Sequence, residues 1–205
     1  MSDALAELLR HPALWRGGGA GAPETVSTGF RALDARLPGG GWPLATLVEL
    51  LVPAAGVGEI RLLLPALRSL TAAGREPRWV AWLAPPHLPY APALADAGLD
   101  PARMLVVRPR AGIDRLWAME QALRSGACAA VLGWAGEARD AMLRRLKLAA
   151  EEGGTPAFLL RPAAHRCEAT PAALRLALAA RDYGLDVEVL KSRFGPARIE
   201  RLPVH

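Results

Sequence analysis

The sequence predicts an α/β fold in which a mostly parallel sheet is flanked by helices and extended at its C-terminal end by antiparallel strands. Two patterns lead to this prediction. Between residues 46 and 160, short apolar runs alternate with longer segments of helical periodicity, which is typical of right-handed βαβ units. After residue 172, three short apolar runs are separated by tight turns, a spacing that indicates an antiparallel meander.

The individual elements follow from apolar runs and from the residues that end helices. The predicted parallel strands are 46–52, 79–84, 104–108, 129–134 and 155–160. The predicted helices are 30–37, 59–73, 92–97, 114–125 and 137–152, and the longer ones end at glycines. The predicted C-terminal strands are 173–180, 185–191 and 197–202.

The chain divides into an N-terminal arm and a single larger domain. Residues 1–22 comprise a short helical segment, the apolar pair Leu14 and Trp15, and a glycine-rich run that predicts a flexible connection. Residues 23–205 form the predicted domain, which is long and apolar enough for a real core. An arm of this kind can dock on its own domain or on a partner, so Leu14 and Trp15 are candidate contact residues.

Composition and charge restrict the classes of function. The start of the chain lacks a basic leader followed by an apolar block, and no uncharged span of membrane length is evident, which predicts a cytoplasmic protein without a membrane segment. Cys128 and Cys167 are expected to be free thiols. The net charge of +5 and the pI near 10.0 permit an anionic partner, including a weak contact with DNA.

The loop after the first predicted parallel strand has the setting of a phosphate-binding loop without its chemistry. A strand, a loop of small residues and a helix follow one another here, as in a P-loop. A carboxylate, Glu59, stands where the lysine and hydroxyl residues of a P-loop are expected, and it would repel a phosphate. The residues of this vestigial P-loop are Pro53, Ala54, Ala55, Gly56, Val57, Gly58 and Glu59.

The order of several short motifs resembles the RecA recombinase core. The motifs are Thr28-Gly29, Gly40-Gly41-Trp42-Pro43, Val48-Glu49-Leu50, the run 122–127 before an apolar strand, and 187–193. The resemblance covers roughly residues 26–199. It implies a RecA-like three-layer core, and with it an ATPase site that needs a lysine, a magnesium-binding aspartate and a water-activating glutamate.

None of these three charged groups stands at its expected position. Glu59 or its neighbours replace the lysine, Gly133-Trp134 replaces the aspartate, and Pro85-Pro86-His87 replaces the glutamate. Because each such group contributes orders of magnitude to the rate, the sequence predicts a protein that is not an enzyme. The scattered histidines and cysteines predict no metal site, and no cofactor is expected.

A closer resemblance is to the ImuA-type accessory proteins of error-prone lesion bypass, which are grouped in sequence with the cell-division inhibitor SulA. The runs 11–16, 37–43 and 49–67 carry this resemblance. It implies a non-catalytic role in SOS-linked translesion DNA synthesis, through contacts with RecA, a Y-family-polymerase-like protein and an error-prone polymerase. The alternative is a SulA-like inhibitor that blocks polymerisation of the tubulin-like division protein FtsZ.

Basic residues near the C-terminus form a second set of candidate contacts. If the strand that ends near residue 193 is regular, Lys191 and Arg193 share one face, and Arg198 follows on the next strand. Such a patch suits DNA phosphates or an acidic protein segment, and a merely solvated basic face would have the same sequence pattern.

Overall fold

The fold is described from a computed structural model for residues 24–72, 76–110 and 112–204. The strands in this part of the chain are β1 (Thr25–Val26), β2 (Trp42–Pro43), β3 (Leu47–Val52), β4 (Trp79–Leu83), β5 (Met104–Val107), β6 (Cys128–Trp134), β7 (Ala157–Pro162), β8 (Leu174–Arg181), β9 (Gly184–Lys191) and β10 (Ala197–Leu202). The α-helices are α1 (Arg31–Asp34), α2 (Glu59–Leu70), α3 (Ala91–Asp96), α4 (Gly112–Arg124) and α5 (Asp140–Glu152).

Eight strands form one mixed sheet, in the order β10-β9-β8-β3-β7-β6-β4-β5. From β5 to β8, neighbouring strands are parallel. The last three strands, β8, β9 and β10, pair antiparallel. The carboxyl ends of the parallel strands therefore meet at one edge of the sheet, where their following loops lie side by side. β1 and β2 form a separate two-stranded ribbon.

Alternate residues of the central strands enter two separate cores. On one face, Leu63 and Leu67 of α2 pack with Leu50, Phe158 and Val187. On the other face, residues of α4 and α5 pack with alternate residues of β3, β6 and β7, among them Leu123, Leu146, Leu47, Val131 and Leu159. Burial on both faces explains why these strands are continuous apolar runs.

The predicted RecA-like three-layer core is wrong. The described residues form a mixed sheet of eight strands with few long helices, because α1 and α3 each span only four to six residues. A short 3₁₀ turn, Ala163–Cys167, and not an α-helix, lies between β7 and β8. The outer face of β8, β9 and β10 carries ion pairs such as Arg181–Asp186.

Most ends of the helices and strands differ from the predicted ends by one to three residues. For example, α5 begins at Asp140 and not at residue 137. The arm predicted for residues 1–22, with Leu14 and Trp15, lies outside the described residues. Within the described residues, no helix is both long enough and apolar enough to cross a membrane.

Candidate functional site

A cavity of about 520 Å³ opens at the carboxyl edge of the parallel strands. We call this region the carboxyl-edge site. Its walls come from the ends of β3, β6 and β7, from the loops that follow β3, β4, β5 and β6, and from the start of α4. The cavity falls within the range of about 300–1,000 Å³ that is typical of binding pockets. Loops at this edge of an α/β sheet are the usual place for binding residues, because the sheet holds them rigidly.

The loop after β3 is closed by its own glutamate. Glu59 is the first residue of α2 and is almost fully buried. Its carboxylate accepts hydrogen bonds from the backbone N–H groups of Gly56 at 2.9 Å and Gly58 at 3.1 Å. Gly58 has φ +109°, a value that favours glycine and allows its N–H to point at this carboxylate. Two amides that a phosphate would otherwise use are therefore occupied.

The loop after β4 presents exposed apolar side chains on a stiff backbone. Three prolines, Pro85, Pro86 and Pro89, restrict the backbone between residues 84 and 90. Leu88 and Tyr90 are 67% and 71% exposed. A rigid loop loses little conformational entropy when a partner binds, so these side chains are suited to contact another protein.

Two arginines add positive charge to the wall of the carboxyl-edge site. Arg108 follows β5, Arg115 lies in the first turns of α4, and both side chains are exposed. Among the described residues, neither takes part in a salt bridge, and no acidic residue lines the cavity. This edge therefore combines apolar and cationic groups, a composition that is common at the energetic centre of protein interfaces.

The two positions where the sequence lacked carboxylates also lie at or near this edge. Pro86 lines the cavity, and Gly133 lies in β6 immediately before Trp134, which also lines it. A Cβ at position 133 would stand 2.4 Å from the Met119 Sδ, so an aspartate there would have to displace that side chain. In residues 24–72, 76–110 and 112–204, no group of three His, Cys, Asp or Glu side chains has the geometry of a metal site.

A buried ion network holds the loops at this edge. The Arg161 guanidinium contacts the Glu49 carboxylate at 2.9 Å, and Glu49 also lies 3.2 Å from Nε of Arg175. The other terminal nitrogen of Arg161 donates to the backbone carbonyls of Gly136 and Ala138, both at 3.4 Å. Through Arg161, the network connects β3 and β7 to the loop after β6.

The same network reaches the turn after β7. Arg161 pairs with Glu168 at 3.0 Å, and Arg175 donates to the backbone carbonyls of His165 and Glu168. The hydrogen bond from His165 is the main reason why the pKa of Glu168 is lowered, and Arg161 lowers it further. Sequence reasoning missed this network, although Glu49 and Arg161 interrupt otherwise apolar strands.

The C-terminal basic residues lie away from the carboxyl-edge site. Lys191 donates to the Thr170 carbonyl at 2.7 Å, and partial burial, followed by the nearby Lys147, lowers its pKa. Arg193 is exposed at the opposite end of the sheet. Arg198 lies 3.7 Å from Asp186 and 3.4 Å from Glu200, so acidic neighbours already balance its charge. The contact with DNA or an acidic protein segment that the sequence predicts for these residues stays a prediction.

Four tryptophans of the described residues form two groups that differ in exposure. Trp82 and Trp134 stack beside the carboxyl-edge cavity with ring centroids 5.8 Å apart. Trp79 and Trp117 are 44% and 59% exposed, so both lie at the surface.

Comparison with known proteins relates the region that contains most of this site to one family. The family model described as "Cell division inhibitor SulA" matches residues 52–157, which is slightly more than half of the chain. The SulA of Serratia marcescens is 34% identical over 102 residues, which cover 50% of this chain and 59% of that protein. The SulA of Edwardsiella piscicida is 36% identical over 101 residues, which cover 49% and 58%. The chain thus spans less than two thirds of the length of these curated relatives.

A solved structure gives a further similarity. The crystal structure of SulA from Pseudomonas aeruginosa is 28% identical in sequence, with a TM-score of 0.46, and the match covers 56% of this chain and 97% of that one.

These comparisons correct the predicted identity. The expected ImuA-type membership is wrong. The translesion role that it implied is also wrong, as are the implied partners, RecA and the polymerase-like proteins. The reading of the loop 53–59 as a vestige of a RecA P-loop has no support in the matched family. The family description is that of an inhibitor, in keeping with the expectation that the chain is not an enzyme. The chain belongs to the SulA family of cell division inhibitors.

Proposed function

We propose that this protein inhibits cell division by binding FtsZ and blocking its polymerisation, as the alternative reading of the sequence suggested. The observation that carries the proposal is the match of residues 52–157 to the SulA family model. In this role the protein acts in the cytoplasm during the SOS response to DNA damage.

The carboxyl-edge site is the proposed contact surface. Family-matched residues supply most of its wall, including Pro53, Pro86, Arg108 and Arg115. Strands β8, β9 and β10, which carry Lys191, Arg193 and Arg198, lie outside the matched region. A function shared within the family therefore favours this edge over the C-terminal patch.

The exposed groups support one way in which the proposed contact could form. Leu88 and Tyr90 would bury apolar surface against FtsZ at roughly 25 cal/mol per Å². Arg108 and Arg115 would pair with acidic groups of FtsZ, which mainly determines the association rate and the orientation of the complex. No chemical step is needed, since occupation of a polymerisation surface is sufficient for inhibition.

The test combines purified FtsZ with this protein and measures polymerisation by sedimentation and light scattering. The wild-type chain should reduce the polymer in proportion to its concentration, and its overproduction should make cells filament without DNA damage. Normal polymerisation together with normal division would overturn the proposal.

Charge reversal locates the surface. The double variant Arg108→Glu and Arg115→Glu should weaken inhibition at least tenfold, because both attractive pairs become repulsive. The matched control is Arg31→Glu with Arg36→Glu, which makes the same change of charge at exposed positions of α1 and just after it. Equal inhibition by both double variants would show that FtsZ binds elsewhere.

A further inference from the structure

A second cavity lies at the amino edge of the parallel strands, opposite the carboxyl-edge site. We call it the amino-edge cavity. Pro43, Leu44 and Ala45 line one side, Leu174 at the start of β8 lines another, and Lys147 and Arg193 stand at its wall. Neither the proposed contact with FtsZ nor the family match accounts for it, since Leu44, Leu174 and Arg193 lie outside residues 52–157.

The size of the amino-edge cavity favours side chains over a free small molecule. Its volume is about 240 Å³. Pockets for small molecules usually enclose about 300–1,000 Å³. Most of the residues around it are apolar, and the charges of Lys147 and Glu151 already pair with each other at 3.6 Å. An apolar side chain or two therefore fits this space better than a polar metabolite does.

The described chain begins beside this cavity. Glu24 is the first described residue, and its carbonyl accepts a hydrogen bond of 2.8 Å from the backbone N–H of Leu44. The next residue, Thr25, is paired with Pro43 in the β1–β2 ribbon. Both Pro43 and Leu44 line the cavity. The described chain thus starts at the rim of the cavity, and the peptide bond to Glu24 tethers the preceding segment there.

Leu14 and Trp15 are within reach of the cavity from this tether. Trp15 precedes Glu24 by nine residues, and the sequence between them contains the glycine-rich run 17–21. A flexible chain of that length has a root-mean-square span of about 15–18 Å. A span of this size is well matched to a cavity that begins at the tether, so the effective concentration of the arm at the cavity is high, on the order of millimolar.

We propose that the N-terminal segment docks on its own domain by placing Trp15, with Leu14 beside it, in the amino-edge cavity. The indole would pack on Pro43, Leu44 and Leu174. Arg193 is exposed and has no salt bridge among the described residues, so its guanidinium is available to lie against the face of the ring. Docking there leaves the carboxyl-edge site open.

Photo-crosslinking of the full chain tests this assignment. A benzophenone amino acid replaces Trp15, the purified protein is irradiated without any partner, and crosslinked peptides are mapped by mass spectrometry. Crosslinks within one chain to peptides that contain residues 43–46 or 173–174 are expected. The matched control places the same group at Trp117, an exposed residue of α4, from which these peptides should not be reached.

A blocking variant separates docking from chance proximity. Ala173 is exposed and lines the cavity, so Ala173→Trp should fill it without disturbing the core and should lower the crosslink yield from position 15 at least fivefold. Crosslinks from position 15 to other surfaces, crosslinks only between two copies, or a yield that Ala173→Trp leaves unchanged would overturn the proposal. Because FtsZ is absent from the experiment, its result does not depend on the proposed function.

Discussion

The Arg161 guanidinium lies 2.9 Å from the Glu49 carboxylate, and neither side chain has appreciable contact with solvent. β3 and β7 are adjacent in the sheet, and the pair joins them directly beneath the carboxyl-edge site. A buried pair of this kind is costly to break, because the remaining charge is left in an environment of low polarity.

The first prediction concerns this pair. Arg161→Met should lower the free energy of unfolding by about 3–5 kcal/mol, since Glu49 would keep only Arg175 as a cationic partner. Urea denaturation monitored by tryptophan fluorescence measures the effect. The double variant Glu49→Leu with Arg161→Met should be more stable than the sum of the single changes predicts. Strict additivity would show that the two charges do not depend on each other.

The second prediction concerns the loss of folding stability at low pH. The pKa of Asp186 is lowered, first by the hydrogen bond from the Arg201 backbone N–H and then by Arg181. A carboxyl whose pKa is lower in the folded state contributes stability that is fully present above its unfolded pKa, about 3.9, and is lost as the pH falls through its folded pKa. Asp186→Asn should therefore flatten the loss of stability below about pH 4.

The control for this experiment is Asp96→Asn, which removes an exposed carboxylate at the end of α3 that has no salt bridge in the described residues. Thermal unfolding followed between pH 2.5 and 7 would compare the two variants. If the loss of stability at low pH changed equally in the two variants, Asp186 would have no special role in it.

The third prediction concerns close packing at Gly29. This residue has φ +83°, and a Cβ there would stand 2.3 Å from the Cβ of Pro65 in α2. Gly29→Ala should destabilise the protein by about 2–4 kcal/mol, through both backbone strain and the collision. Gly40→Ala is the matched control, because Gly40 has φ +74° but no atom within 4 Å of the point that its Cβ would occupy. The difference between the two variants in denaturant unfolding measures the collision alone.

The fourth prediction concerns Glu59. Glu59→Ala should leave the Gly56 and Gly58 amides without their acceptor and should cost about 1–2 kcal/mol of stability. Hydrogen exchange should accelerate at these two amides. Glu59→Gln keeps one acceptor oxygen and should retain part of the protection. If both variants exchange like the wild type, the carboxylate does not hold the loop.

Local features of the sequence predicted the elements but not their assembly. The apolar run of β3 and the glutamate that begins α2 were sufficient to locate a strand, a loop and a helix. The same order of elements is compatible with several α/β folds, so the expected RecA-like core did not follow from it. Which fold forms depends on contacts between distant residues, such as Glu49 with Arg161 and Arg175.

The sequence predicted only part of the candidate site, because the site too depends on how distant residues are brought together. The pattern of the loop 53–59 matches a known motif, so the sequence alone identified it. No motif describes Leu88, Tyr90, Arg108 and Arg115. These residues lie at the carboxyl edge of the sheet only because β4, β5 and β6 are parallel. Exposure of an apolar residue is a property of the fold and not of its neighbours in sequence. The sequence distance of Arg108 and Arg115 from Pro53 gave no sign that the three residues line one cavity.

The closure of the loop after β3 by Glu59 has a consequence for regulation. Because the acceptor comes from the same chain, the two loop amides are satisfied without a bound nucleotide. In the proposed function, the contact with FtsZ would therefore need no nucleotide bound at this loop. The extent of inhibition would then depend on how much of the protein is present.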